Sequence, residues 1–272
     1  MPMFILITGI FSKKNQDIKR ILSGYIVPYA IFDSIYVLWC LVVGKESYLL
    51  IIIPTYVYWY ILCIAIQKMM LSYIKFKSVI FLIVLGIQIG TIFVSEEIWR
   101  VLSIGRVVLL FPIFYIGYLI PMEKLHEMRN KKLISLIIGF VSLCTNMILY
   151  KIQIVPISGT HDYYTSLAEL GIKYIYMITT FGLFISLNAL LPENNKVLSR
   201  WGRNSLIVYL MHPFFVDVVG HFVRHSVDSD ILSAVICIVV SVFITSVLSL
   251  DIFRRLYDLC IGKINKALRL VR

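Results

Sequence analysis

From Leu22 to Leu250 the chain is a succession of long apolar blocks cut by short polar stretches, and that arrangement leaves few folds open to it. Each block is roughly 20 residues long, the length a helix needs to cross a hydrocarbon layer about 30 Å thick. No water is present in such a layer to satisfy backbone N–H and C=O groups, so the blocks must be helices. Eight full spans are predicted: Leu22–Val43, Tyr48–Ile66, Ser78–Val94, Val101–Ile120, Leu133–Tyr150, Ala168–Leu191, Asn204–Val223 and Ile231–Leu250. A shorter apolar run, Phe4–Phe11, precedes them and stops at Lys13 and Lys14 before it can cross. The expected fold class is all-α, a polytopic integral membrane protein with eight full transmembrane helices and a partial N-terminal one. Residues 1–251 make up the membrane domain and 252–272 a basic tail.

A net charge of +11 invites a nucleic-acid reading, but the basic residues lie in short loops and in the tail, where they act as topology signals. One set of alternate loops holds Lys13, Lys14, Lys19 and Arg20, then Lys68, Lys75 and Lys77, then Lys124, Arg129, Lys131 and Lys132, then Lys196, Arg200 and Arg203. The other set holds only Lys45, Arg100, Lys151 and Arg224. The first set, with the C-terminal tail, is expected to face the cytoplasm. In that tail basic residues alternate with Ile252, Leu256, Leu259, Ile264 and Leu268, the pattern of a helix lying in the lipid interface; a solvated, frayed tail is the alternative. In the opening segment the charges follow the apolar core rather than precede it, unlike a secretory signal peptide. The five cysteines show no paired ligand spacing, so neither a disulfide framework nor a metal site is expected. Isoleucine- and lysine-rich usage points to an AT-rich bacterial genome, and the expected location is the cell membrane.

Charged side chains inside a span cost at least about 2.5 kcal/mol each and normally face a wet cavity or the protein interior. Asp33 falls midway along its span, Arg106 near the outer end of its own, and His212 near the middle of Asn204–Val223; Lys173 is the other basic residue within a span. Asp217 and His221 are four residues apart on the same helix and share a face. Two readings stay open. Asp33, Arg106 and His212 line one polar cavity in which the histidine exchanges protons near neutral pH; or Asp33 and Arg106 form a structural ion pair and His212 is hydrogen-bonding glue between helices.

Weaker features surround these. In "PENNKVLSRWGRN", Pro192 ends one helix and Asn204 or Ser205 is placed to cap the next. "SGTHDYYTSLAEL" is an outer loop in which His161, Asp162 and two tyrosines either meet a sugar or simply connect helices. Trp59 and Tyr60 are expected to pack between helices.

Three stretches, in order, resemble the acyltransferase family 3 membrane proteins. "MPMFILITGIFSKK" with "IKRILSGYIVPYAIF" is similar to a Met-Pro-Leu-Phe-type helix end, a basic loop and a Pro-Tyr helix; "LSIGRVVLLFPIFYIGYLI" is similar to a later helix with an arginine before Pro-Phe-Phe; "LSRWGRNSLIVYLMHPFF" is similar to a late helix running into Tyr-Leu-x-His. Within the family the fucose 4-O-acetylase-like and polysaccharide O-acetyltransferase group is nearest. The resemblance implies a ten-helix fold, acetyl-CoA or another acyl-CoA as donor, no metal, and transfer to a hydroxyl of a cell-surface glycan or its lipid-linked precursor, with membrane lipids but no nucleic acid as partners. It also implies that Phe4–Phe11 ends the family's second helix, leaving the first helix and its central arginine and histidine outside the chain, and hence a decayed enzyme, a misplaced start or a split gene. Arg106 and His212 match the family's arginine and late histidine, with His212 in a supporting catalytic role and Asp33 a candidate neighbour. Lys19 and Arg20 fall where the family places a basic pair near the phosphates of coenzyme A, although the position three after Arg20 is Ser23.

Two functions of other classes compete: a carrier or flippase for a lipid-linked saccharide, with the intramembrane charges along a transport path, and a non-catalytic scaffold in polysaccharide assembly. The carrier reading is weakened by the lack of paired, symmetric halves. The loop charges make a prediction of their own. In a cysteine-free background, a cysteine at Lys131 should react with an impermeant maleimide only after the cell is opened, and one at Lys151 should react in intact cells. The reverse pattern would invert the topology.

Overall fold

The computed structural model describes residues 2–13, 17–44, 53–73, 77–90, 101–152, 166–192, 194–226 and 229–270. Among these every regular element is helical: α1 (Pro2–Ile10), α2 (Ile18–Ile21), a π turn (Leu22–Ile26), α3 (Val27–Val42), α4 (Trp59–Tyr73), α5 (Lys77–Gly90), a 3₁₀ turn (Val101–Ser103), α6 (Ile104–Leu119), α7 (Met122–Asn130), α8 (Lys132–Ile152), α9 (Leu167–Leu190), α10 (Lys196–Arg203), α11 (Ser205–Ser226), α12 (Asp230–Leu248) and α13 (Asp251–Ala267). Among the described residues three helical stretches, Ile18–Val42, Lys132–Leu149 and Leu167–Leu190, are long and apolar enough to cross a membrane. The number is up to five if the bent pairs α6/α7 (80°) and α12/α13 (60°) each count as one span.

The helices pack as two units. The first comprises residues 1–21 and 59–191. Its core joins Ile5, Leu6 and Ile10 of α1 to Val107, Leu110, Phe111 and Phe114 of α6 and to Trp59 and Cys63 of α4. The short opening segment is thus central to this unit rather than a loose end. It approaches α6 at two glycines: a Cβ on Gly9 would lie 2.1 Å from the Phe114 carbonyl oxygen, and one on Gly117 2.2 Å from that of Leu6. The same device joins α8 to α9, where a Cβ on Gly139 would meet Ser186 Oγ at 2.3 Å and one on Gly182 would meet Ser142 Oγ at 2.1 Å. On α8 the buried positions are Ser135, Gly139 and Ser142, while Leu133, Phe140 and Met147 are exposed. Small residues inside and large apolar residues outside invert the soluble-protein pattern, as expected of a helix whose outer solvent is lipid.

The second unit comprises residues 22–58 and 192–272. Its buried side chains include Tyr29, Tyr36, Val37, Tyr58, Ile207, Leu210 and Leu248.

The predicted helix Tyr48–Ile66 is displaced: residues 53–58 are not helical and α4 starts at Trp59. Pro54 disfavours the helical region for the residue before it, and Tyr56 takes a left-handed φ of 49°. The helix consequently runs on to Tyr73, which buries Lys68 within α4 rather than in a loop. The stretch around "NKVLSRWGRN" folds as α10, capped by Asn195 Oδ1, which accepts from the N–H groups of Val197 and Leu198 at 2.9 and 3.0 Å. Asn204 precedes α11 and its carbonyl accepts from the N–H of Val208, but its side chain does not cap the helix; its Nδ2 donates to the Ser249 carbonyl at 2.5 Å. Lys14, Lys45, Lys75, Arg100, His161, Asp162, Tyr163, Tyr164 and Arg272 lie outside the described residues.

Gly117→Ala should lower stability by about 1–3 kcal/mol through forced separation of α1 and α6. Gly86→Ala, with open space around it, should be neutral or mildly stabilising. Thermal unfolding in detergent checks the pair, and equal melting shifts would refute the contact.

Candidate active site

A proline inside a helix lacks the N–H that the carbonyl four residues earlier requires. In α11, Pro213 withdraws that donor from the Tyr209 carbonyl. The neighbouring side chain takes its place, with His212 Nδ1 2.7 Å from Tyr209 O. A carbonyl oxygen only accepts, so Nδ1 carries the hydrogen, and in the neutral ring Nε2 keeps its lone pair. The neutral ring of the half-buried His212 is thereby held in one tautomer, with Nε2 its acceptor nitrogen.

The segment Thr55–Tyr58 ties α3 to α11 beside it. Thr55 N–H donates to Asp33 Oδ1 at 2.8 Å, Tyr58 Oη donates to the Leu210 carbonyl at 2.8 Å, and Tyr209 Oη donates to the Val57 carbonyl. Tyr36 Oη donates to Asp217 Oδ2 at 2.9 Å. Tyr36 also stacks on Tyr56 at 5.9 Å and meets Tyr58 and Phe214 edge-on at 5.6 and 5.5 Å. Asp33 is only 3% exposed, so its bond from the backbone of Thr55 compensates part of its desolvation. Both Asp33 and Asp217 lie within electrostatic reach of Tyr58. Asp33 and His212 thus belong to one unit, joined by a strap of backbone and tyrosine hydroxyls. The side chain of His221 lies outside the described residues.

Arg106 belongs to the other unit, where its guanidinium carbon sits 4.7 Å from the centre of the Trp59 ring, a cation–π contact that offsets burial of the charge. Tyr60 Oη shares a 3.1 Å hydrogen bond with Thr8 Oγ1, so both aromatic residues are helix-packing groups, as expected. The buried Lys173 places its ammonium 5.7 Å from the Tyr176 ring. Lys19 and Arg20 are exposed on α2, ahead of the π turn.

The proline rule also organises α6. Pro112 frees the Val108 carbonyl, and Gln88 Nε2 donates to it at 2.6 Å. Tyr174 Oη in turn donates to Gln88 Oε1, and Gln67 Nε2 donates to the adjacent Val107 carbonyl at 3.2 Å. Sequence reasoning missed Tyr36, Tyr58, Gln67 and Gln88. For Gln88 the available signal was Pro112, four residues beyond the Val108 carbonyl; for Tyr36, Tyr58 and Gln67 it was only an uncharged polar residue inside an apolar block.

Among comparisons with known proteins, the model of acyltransferase family 3, an acyltransferase domain, matches residues 1–250. No curated protein and no solved structure matches the chain.

If Gln88 replaces the donor that Pro112 lacks, Gln88→Leu should cost about 1–3 kcal/mol in the wild-type background and at least about 1 kcal/mol less in Pro112→Ala, where the backbone donor is restored. A double-mutant cycle by chemical unfolding reads this coupling. Equal costs in the two backgrounds would show that Gln88 does not serve the freed carbonyl.

Proposed function

Because this chain belongs to acyltransferase family 3 and is an O-acyltransferase, we propose that it moves an acetyl group from acetyl-CoA to a hydroxyl of a cell-surface polysaccharide or its lipid-linked precursor. The observation that carries the reading is the hydrogen bond from His212 Nδ1 to Tyr209 O at 2.7 Å. In the neutral ring it leaves Nε2 as an acceptor, and the Tyr209 ring lies 5.4 Å from the imidazole; tyrosine offers a sugar both an apolar face and a hydroxyl. The acceptor hydroxyl donates to His212 Nε2. As its oxygen bonds to the acyl carbonyl carbon, the proton passes to the imidazole. The carbon–sulfur bond then breaks and the thiolate of coenzyme A leaves, taking up the proton as a thiol. His212 supports the reaction by orienting the hydroxyl and holding its proton. Asp33 and Asp217 position the strap and Tyr36 around it.

We assign Lys19 and Arg20, an exposed basic pair, to the phosphates of the donor, to which charge-assisted hydrogen bonds are suited. The eight-span topology, with these residues and the tail on the cytoplasmic side of a bacterial cell membrane, is part of the same proposal and agrees with a donor made in the cytoplasm.

Two substitutions separate chemistry from scaffolding. His212→Ala removes both ring nitrogens, whereas His212→Asn keeps an N–H near the Nδ1 position and removes Nε2. Transfer from radiolabelled acetyl-CoA, assayed in membranes that hold the full chain, should fall roughly a hundredfold or more in both variants. Stability should fall only in His212→Ala. Transfer restored by asparagine would reduce His212 to a helix-capping group.

A further inference from the structure

Helix α13 begins beyond residue 250, where the family match ends, and acyl transfer gives it no task. Its two sides differ. One side carries Tyr257, Ile261 and Asn265, with Ile261 and Asn265 buried. The Tyr257 ring lies 6.4 Å from Phe32 of α3, and burial, aided by the Asp258 charge, pushes its phenol up to about 12. Asn265 Nδ2 reaches back to the Ser23 carbonyl at 3.3 Å. That carbonyl sits in the π turn Leu22–Ile26, where the bonding partner is five residues ahead rather than four. Five residues beyond Ser23 is Pro28, which has no N–H. Asn265 gives that carbonyl a donor, which Pro28 cannot.

The opposite side carries Ile252, Leu256 and Leu259, spaced i, i+4, i+7 and exposed at 61%, 53% and 60%. Arg255, Lys263 and Lys266 are exposed around them. From Asp251 to Arg272 six basic residues stand against two acidic ones. The helix follows the apolar α12 directly after a 60° bend. An apolar stripe bordered by cations and continuous with a membrane helix fits an anionic lipid surface, with the stripe among the acyl chains and the cations at the headgroups.

We propose that α13 is a two-sided strut, docked by its Ile252–Leu256–Leu259 face on anionic phospholipid and holding the π turn at Ser23 through Asn265. The turn fixes the rotation of the α3 residues that follow it, Asp33 and Tyr36 among them, so Asn265 acts as a positioning residue at a distance.

The test is hydrogen exchange on the full chain in nanodiscs of phosphatidylcholine alone or with phosphatidylglycerol. Amides of 252–262 should exchange about tenfold more slowly with phosphatidylglycerol present, and salt at about 0.5 M should remove much of the difference. The triple variant Ile252→Gln, Leu256→Gln, Leu259→Gln should lose the lipid effect. Asn265→Leu should keep it while amides of residues 22–27 exchange faster. Equal protection in both lipids, or unchanged exchange at 22–27 in Asn265→Leu, would overturn the proposal. Neither readout depends on acyl transfer.

Discussion

A carbonyl oxygen that has lost its N–H partner inside a water-free layer must find another donor, and much of this structure follows from where that happens. Three prolines, Pro28, Pro112 and Pro213, interrupt helical stretches. In each case a side chain reaches a carbonyl four or five residues before the proline: Asn265 at Ser23, Gln88 at Val108 and His212 at Tyr209. An unmet buried carbonyl costs about 1–3 kcal/mol and more in hydrocarbon, which is comparable to a large share of the net stability of a domain. Such helix breaks are tolerated only with their donors present, so the donors constrain how neighbouring helices are placed. Gln88 brings α5 to α6, and Asn265 brings α13 to the π turn.

Close approach between other helices relies on the absence of side chains. With lipid on the outside, burial of leucine or phenylalanine between helices gains little over burial in lipid, and contact must come from dispersion at short range. Gly9 with Gly117, and Gly139 with Gly182, let backbones meet where any Cβ would intrude. This accounts for the burial of the short α1, whose Ile5 and Leu6 are fully covered. It also accounts for α8, which turns Leu133 and Phe140 outward and Ser135 and Ser142 inward.

The block pattern made the helical class legible because backbone satisfaction in lipid admits so little else. It placed α3, α6, α8, α9, α11 and α12 close to their observed bounds. It failed at residues 53–58, because an apolar run reads alike in a helix and in a buried strap, and only Pro54 marked the difference. Polar stretches taken for loops contain α7 and α10, whose helicity rests on good helix formers such as Met, Glu, Lys and Leu and, for α10, on the Asn195 cap rather than on apolar length. The charged candidates stood out through the cost of their charge. The tyrosines and glutamines that hold the strap and the carbonyls did not, since an uncharged polar residue in a span is cheap enough to be common.

His212 joins these two lines of argument. As a capping group it needs Nδ1 only, and asparagine would serve the Tyr209 carbonyl nearly as well. What histidine adds is a second nitrogen, which in the neutral ring keeps its lone pair, on a ring that titrates near neutrality when unperturbed. A tautomer fixed by a main-chain acceptor needs no carboxylate to orient it, which distinguishes this arrangement from a histidine held by an acidic partner. Asp217, one helical turn further along α11, is engaged instead with Tyr36 Oη at 2.9 Å. The break made by Pro213 therefore does more than bend a helix: it sets which edge of the imidazole can take a proton.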